Sequence, residues 1–296
     1  MEVTLKEKES VREGLKAYVS KYPSQTKAVG SLKGISTGTV SNILNGRFEN
    51  ISDEMFRNVA SQIGGIGTSG WQIVETGAYQ EITEVLKDAQ TWRNVTWVVG
   101  EAGSGKSTTA NMYRQEKKEV FYILCSEDMK KGDFVREIAR TVGIRSEGYN
   151  IRETWSLILD DIIQMEAPLL IFDEADKLTE PVFHYFISLY NKLEDKCGIV
   201  FLSTDYITKR IMNGLRFRKP GYKEFYSRIG RKFYELEPTD ANDVYVICTA
   251  NGVTTKKDID AVIKEAAAVD FDLRRVKKSI HKVKRIGGIE NRSNAV

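Results

Sequence analysis

The chain has 296 residues, 41% hydrophobic and 29% charged, the balance of a soluble globular protein with room for one large or two to three small domains. No apolar run reaches the length of a membrane span, and the charged opening MEVTLKEKES lacks the apolar core of a secretory leader, so no membrane is expected and the cytoplasm is the expected compartment. A net charge of +3 proves no nucleic-acid partner, and the scattered Cys125, Cys197 and Cys248 with only His184 and His281 leave no pattern for a disulfide framework or a zinc site.

Residues 1–63 read as a small all-α domain of helices over 7–22, 25–32, 37–44 and 53–63, separated by glycines. Within it, SQTKAVGSLKGISTGTVSNILNGR (24–47) resembles a helix-turn-helix of the Cro and repressor kind. The turn falls at Gly34 and Asn45-Gly46 closes the second helix. Val29, Leu32, Ile35, Val40, Ile43 and Leu44 form the set that would pack the two helices together. The resemblance implies a DNA-binding domain in which Thr37, Thr39, Ser41 and Asn42 face the major groove while Lys33 and Arg47 meet phosphates. A small bundle that binds protein is the alternative. The next segment, 64–75, opens with GGIGTSG and reads as a flexible linker.

From 76 to 237 helices and strands alternate. Strands are expected over 95–99, 120–125, 168–172, 198–202 and 232–236, with helices over 77–91, 107–114, 132–142, 154–165 and 181–193. Such alternation predicts an α/β core with a parallel sheet covered on both faces. Residues 238–296 read as all helix, with segments over 244–249, 257–268 and 273–283. Past residue 271 the basic residues Arg274, Arg275, Lys277, Lys278, Lys282, Lys284, Arg285 and Arg292 outnumber Asp272 and Glu290. This excess is either a solvated helix end or an electrostatic footprint for nucleic acid.

Two motifs carry chemistry. GEAGSGKS, from Gly100 through Glu101, Ala102, Gly103, Ser104, Gly105 and Lys106 to Ser107, follows an apolar strand and, with Thr108, opens a helix. Its glycines let backbone N–H groups curl toward phosphate oxygens at the positive end of the helix dipole. Lys106 would reach the β- and γ-phosphates of ATP, and the Ser107 hydroxyl would bind Mg²⁺. In LLIFDE, an apolar strand delivers Asp173 as a second Mg²⁺ holder, and Glu174 follows, placed to polarise an attacking water.

LLIFDEAD together with the phosphate-binding loop resembles the AAA+ ATPase family over about 76–283, with a C-terminal helical lid. The resemblance implies ATP hydrolysis to ADP and phosphate. It places a polar sensor at Ser203 or Thr204 in GIVFLSTD, and a second, lid-borne sensor at Arg274 in FDLRR. It also implies an arginine finger that reaches a neighbouring subunit, at Arg228 in preference to Arg231 in YSRIGRKF, and hence a homo-oligomer, either helical filament or ring. Lys130 and Lys131 in CSEDMKKGD fall where DNA-threading members face their central channel. Arg216 and Arg218, with Lys219 and Lys223, lie in the aromatic-basic insertion GLRFRKPGYKEF, read as a loop suited to phosphate contact.

The order of parts is similar to that of the MuB transposition proteins and the related target-selection ATPases TnsC and IstB. That likeness implies ATP-dependent assembly on double-stranded DNA, a role in DNA transposition and recombination, a transposase partner, and disassembly on hydrolysis. The alternatives are a helicase loader or replication initiator and a nucleotide-switched transcriptional regulator.

Overall fold

The computed structural model describes residues 3–63 and 71–293. The first elements are four helices: α1 (Leu5–Val19), α2 (Gln25–Gly30), α3 (Thr37–Leu44) and α4 (Asp53–Gln62). A hydroxyl starts each one. Thr4, Ser24, Ser36 and Ser52 accept from the backbone N–H groups of Glu7, Lys27, Thr39 and Met55, satisfying donors that a helix start leaves open. Val11, Leu15, Ala28, Val29, Val40, Ile43, Phe56 and Val59 share one buried cluster. Gly34, at φ +67°, makes the turn before α3. Helix α2 ends at Gly30, short of the expected 32, yet Leu32 and Ile35 still turn inward.

The core begins with α5 (Gly77–Trp92) and β1 (Val95–Val99), then α6 (Lys106–Glu116), β2 (Val120–Leu124), α7 (Lys131–Val142), α8 (Ile151–Ile163), β3 (Leu169–Asp173), α9 (Glu180–Leu193) and β4 (Gly198–Ser203). It closes with α10 (Tyr206–Arg216), α11 (Tyr222–Arg228) and the two-residue β5 (Tyr234–Glu235). All four strand pairings are parallel, in the order β2-β3-β4-β1-β5. Successive side chains therefore enter different layers. Trp97, Leu170, Phe172, Ile199 and Phe201 join one cluster with α7, α8, α9 and α11. Val98, Leu169, Ile171, Val200 and Leu202 join the other, with α5 and α6. The expected α/β parallel sheet is thus present. The stretch 214–225 departs from the expected loop: α10 runs into it as far as Arg216 and α11 opens at Tyr222, with Tyr222 and Phe225 buried.

The lid is α12 (Ala241–Ala250), α13 (Lys256–Ala267) and α14 (Leu273–Ser293), closed around Val244, Ile247, Cys248, Ile259, Val262, Val276 and Ile280. Of the expected linker over 64–75, residues 64–70 lie outside the described residues. The rest is held by the lid. Trp71 and Val74 pack on the lid cluster, and Gln72 exchanges two hydrogen bonds of 2.9 Å with the Asn251 side chain.

The N-terminal helices rest on the core. Lys27 pairs with Asp161 of α8, Arg140 of α7 donates to the Ser31 carbonyl at 2.9 Å, and the Tyr22 hydroxyl donates to the Thr141 carbonyl at 3.3 Å. Gly30 and Gly143 let the two backbones approach; a Cβ on Gly30 would lie 2.7 Å from the Gly143 carbonyl oxygen.

Candidate functional site

The loop from Gly100 to Gly105 joins β1 to α6. Gly103 and Gly105 sit at φ +83° and +94°, a region that favours glycine, and Gly105 directly precedes the helix. The lid closes on the loop. Leu273 N–H donates to the Gly103 carbonyl at 3.1 Å, and a Cβ on Gly103 would meet the Asp272 carboxylate at 2.2 Å. Lys106 folds over its own loop, donating to the carbonyls of Gly100 (2.7 Å) and Glu101 (2.8 Å) and to Ser104 Oγ (3.3 Å). Burial lowers its pKa, while Asp173, Asp176 and Glu101 oppose that shift.

Asp173 ends β3 at 1% exposure. Its Oδ1 accepts from the Glu174 N–H at 2.9 Å and its Oδ2 from the Tyr122 hydroxyl at 2.5 Å. Burial, then the Asp173 charge, raises the Tyr122 pKa, so the phenol stays a donor. Glu174 lies at φ 54°, a strained position for a residue with a side chain, and its carboxylate accepts from Lys177 Nζ at 2.6 Å. Asp176 Oδ2 accepts from Thr204 Oγ1 at 2.6 Å, and Arg210 fixes the turn by donating to the Asp176 and Leu178 carbonyls.

These groups meet around a cavity of about 680 Å³. Ala102 through Thr108, Asp173, Glu174, Ser203, Thr204 and Arg274 line it. Gly100 and Glu101 contribute through the carbonyls that receive Lys106. On another side stand Trp71, Ile73, Val74, Tyr79, Ile247 and Leu273, an apolar wall suited to a nucleobase. Arg274 makes no ion pair among the described residues, and Lys277, one turn on, lies 5.1 Å from the Trp71 ring. The sequence reading missed this wall because Trp71 follows a glycine-rich stretch; a lone tryptophan there was the available signal. Among the described residues no three His, Cys, Asp or Glu converge as a metal cage. Mg²⁺ does not require one, since it takes one or two carboxylates with substrate phosphates, and the Ser107 hydroxyl and buried Asp173 carboxylate fit that donor set.

The remaining candidates lie elsewhere. Arg228 is half-buried at the end of α11, its guanidinium bonded to Asn191 Oδ1 (2.8 and 3.1 Å) and 5.6 Å from the Tyr190 ring. It lines a separate hollow with Asn94, Val95 and Ile199, by the first residues of β1 and β4. That is the end of the strands away from the phosphate loop. Arg231 is exposed. Thr37, Thr39, Ser41 and Asn42 are partly exposed on α3, with Lys33 and Arg47 exposed on its flanks. Thr39 Oγ1 is 2.9 Å from the capping Ser36 Oγ, and Arg12, which the sequence reading missed, donates to the Leu44 carbonyl at 3.0 Å. Lys130 is exposed and Lys131 opens α7, 5.7 Å from the Tyr185 ring. Arg216 ends α10 against Phe217, and Arg218 is exposed beyond it. No described helix is long and apolar enough to cross a membrane.

Residues 90–211 match the family model of an AAA domain. No curated protein matches the chain. Among solved structures, the chain is similar to the Aeropyrum pernix Orc1 protein in complex with DNA, at 18% identity and a TM-score of 0.53. That similarity covers 76% of this chain and 63% of the other, so the chain spans less than two thirds of that protein's length. The parallel five-stranded sheet with its flanking helices is the α/β fold of the AAA+ ATPases.

Proposed function

We propose that this chain is an ATPase that assembles on double-stranded DNA and acts in transposition as a target-selection factor and transposase activator, with hydrolysis driving disassembly. The observation that carries the ATPase reading is the single cavity joining the phosphate loop, the Asp173–Glu174 pair and the lid's Arg274. Loop N–H groups and Lys106 bind the phosphates, and the apolar wall from Trp71 to Tyr79 takes the base. Ser107 and Asp173 would hold Mg²⁺, which supplies charge neutralisation at the β- and γ-phosphates. Glu174, released from Lys177, takes a proton from the attacking water. Thr204 holds Asp176 beside it. Arg228, remote from its own cavity, acts on a neighbouring subunit's phosphate, which makes hydrolysis depend on assembly.

The DNA reading rests on the N-terminal helices. Docking consumes α2, through Lys27 and the Gly30 approach, and leaves α3 with its polar residues outward. The transposition reading rests on the order of parts: small helical module, AAA+ core and short basic lid. A second reading, replication initiator or helicase loader, is favoured by the similarity to the DNA-bound Orc1 protein.

Electron microscopy of the protein with duplex DNA of arbitrary sequence, in ATP and in ADP, separates them. Target selection predicts ATP-dependent filaments, kept by Glu174→Gln and weakened by Arg228→Ala. Closed rings or single particles at specific sites would replace it with the initiator reading.

A further inference from the structure

Tyr122 belongs to no nucleotide-binding motif. It lies on β2, an edge strand, opposite Ile171 of β3 and two positions before Leu124, which pairs with Asp173. Positions two apart on a strand share a face, so the register brings the phenol and the Asp173 carboxylate together across neighbouring strands. The hydroxyl donates to Asp173 Oδ2 at 2.5 Å, and the Glu174 N–H takes the other carboxylate oxygen. Both oxygens of the carboxylate offered to Mg²⁺ are thus held, one by that hydroxyl and one by backbone. The ring itself is anchored: it packs against the cluster under α5 and α6, and the Arg114 guanidinium lies 5.7 Å from its centroid.

We propose that Tyr122 is a positioning residue that sets the Asp173 carboxylate for Mg²⁺–nucleotide binding. It rests on the nucleotide reading above and adds a residue to that site. A buried carboxylate with one oxygen left unpaired can rotate about its terminal torsion. A fixed donor removes that freedom, and partners that orient metal-binding side chains typically govern metal affinity by about 10- to 100-fold. Tyr122→Phe removes the hydroxyl and keeps the ring, its packing and its contact with Arg114.

The test titrates a fluorescent ATP analogue against the full chain at stepped Mg²⁺ concentrations and in EDTA. Parent, Tyr122→Phe and Tyr113→Phe are compared. Tyr113→Phe also removes a tyrosine hydroxyl bond from the α5–α6 layer, the 2.8 Å bond to Gln90, but away from the cavity. Tyr122→Phe is expected to need about tenfold more Mg²⁺ for half-maximal tightening, with affinity in EDTA unchanged, while Tyr113→Phe follows the parent. An unshifted Mg²⁺ midpoint in Tyr122→Phe would overturn the inference. So would an equal loss with and without Mg²⁺, which would make Tyr122 a packing residue. A parent that binds no nucleotide would instead overturn the nucleotide reading, and this inference with it.

Discussion

The indole N–H of Trp97 donates to Ser203 Oγ at 2.7 Å, and that hydroxyl in turn donates to the Thr204 carbonyl at 3.1 Å. Both of the Ser203 hydroxyl's roles are thereby spent inside the sheet, at 2% exposure. Of the two sensor candidates, Thr204 keeps its hydroxyl on the cavity side, bonded to Asp176. Ser203→Ala should lower stability by about 1–3 kcal/mol, because it strands a buried indole N–H. Thr204→Val should keep the melting temperature and lower hydrolysis by about 10²-fold, the usual loss when a preorganised polar contact is removed. Thermal melts beside phosphate release decide it. A Ser203→Ala variant of parental stability that is slow in hydrolysis would reverse the assignment.

Glu174→Gln should bind ATP as the parent does and lose hydrolysis by about 10²- to 10⁴-fold, the range for a general base. Lys177 complicates the site by pairing with Glu174 at 2.6 Å. Lys177→Ala should therefore not abolish turnover. Single-turnover measurements on both variants would expose the error if Lys177→Ala proved as inactive as Glu174→Gln.

Replacing glycine by alanine within a helix ordinarily stabilises it by about 1 kcal/mol. Gly30→Ala in α2 should do the reverse. Its Cβ would meet the Gly143 carbonyl oxygen at 2.7 Å, and backbone on both sides resists the shift. A loss of about 1–3 kcal/mol is expected, typical of overpacking. Hydrogen exchange should rise at the 140–143 turn, where Arg140 and Thr141 meet the N-terminal helices. Unchanged exchange there would show that the module does not dock by this face.

Glu265 ties α13 to α14. It accepts from Lys282 (2.8 Å), Ser279 (2.6 Å) and Arg275 (3.3 Å), and the Lys282 bond, then Ser279, lowers its pKa from 4.5 to about 2. A lowered carboxylate stabilises the fold above its unfolded value and loses that contribution as pH falls through the folded one. The window runs from 4.5 down to about 2. The carboxylate is 33% exposed, so solvent holds the gain to below about 1 kcal/mol. Melts of parent and Glu265→Gln should differ at pH 7 and converge through that window; a constant difference would remove Glu265 from the account.

The sequence by itself determined the local chemistry. The spacing of Gly100, Gly105, Lys106 and Ser107 after an apolar run points to a phosphate loop, because a glycine-bearing turn into a helix aims N–H groups at an anion. The alternation over 95–202 dictates a parallel sheet, since its apolar strands need cover on both faces. Pro220-Gly221 interrupts the run over 214–225, which therefore reads as a loop, although Tyr222 and Phe225 are buried in α11. Only the tertiary structure decided which distant residues meet. Parallel register set Tyr122 against Asp173, the β4–β1 pairing set Trp97 against Ser203, and the lid drew Trp71 and Arg274 to one cavity. Such contacts depend on where separate elements pack, and spacing along the chain encodes only what neighbours within one element share.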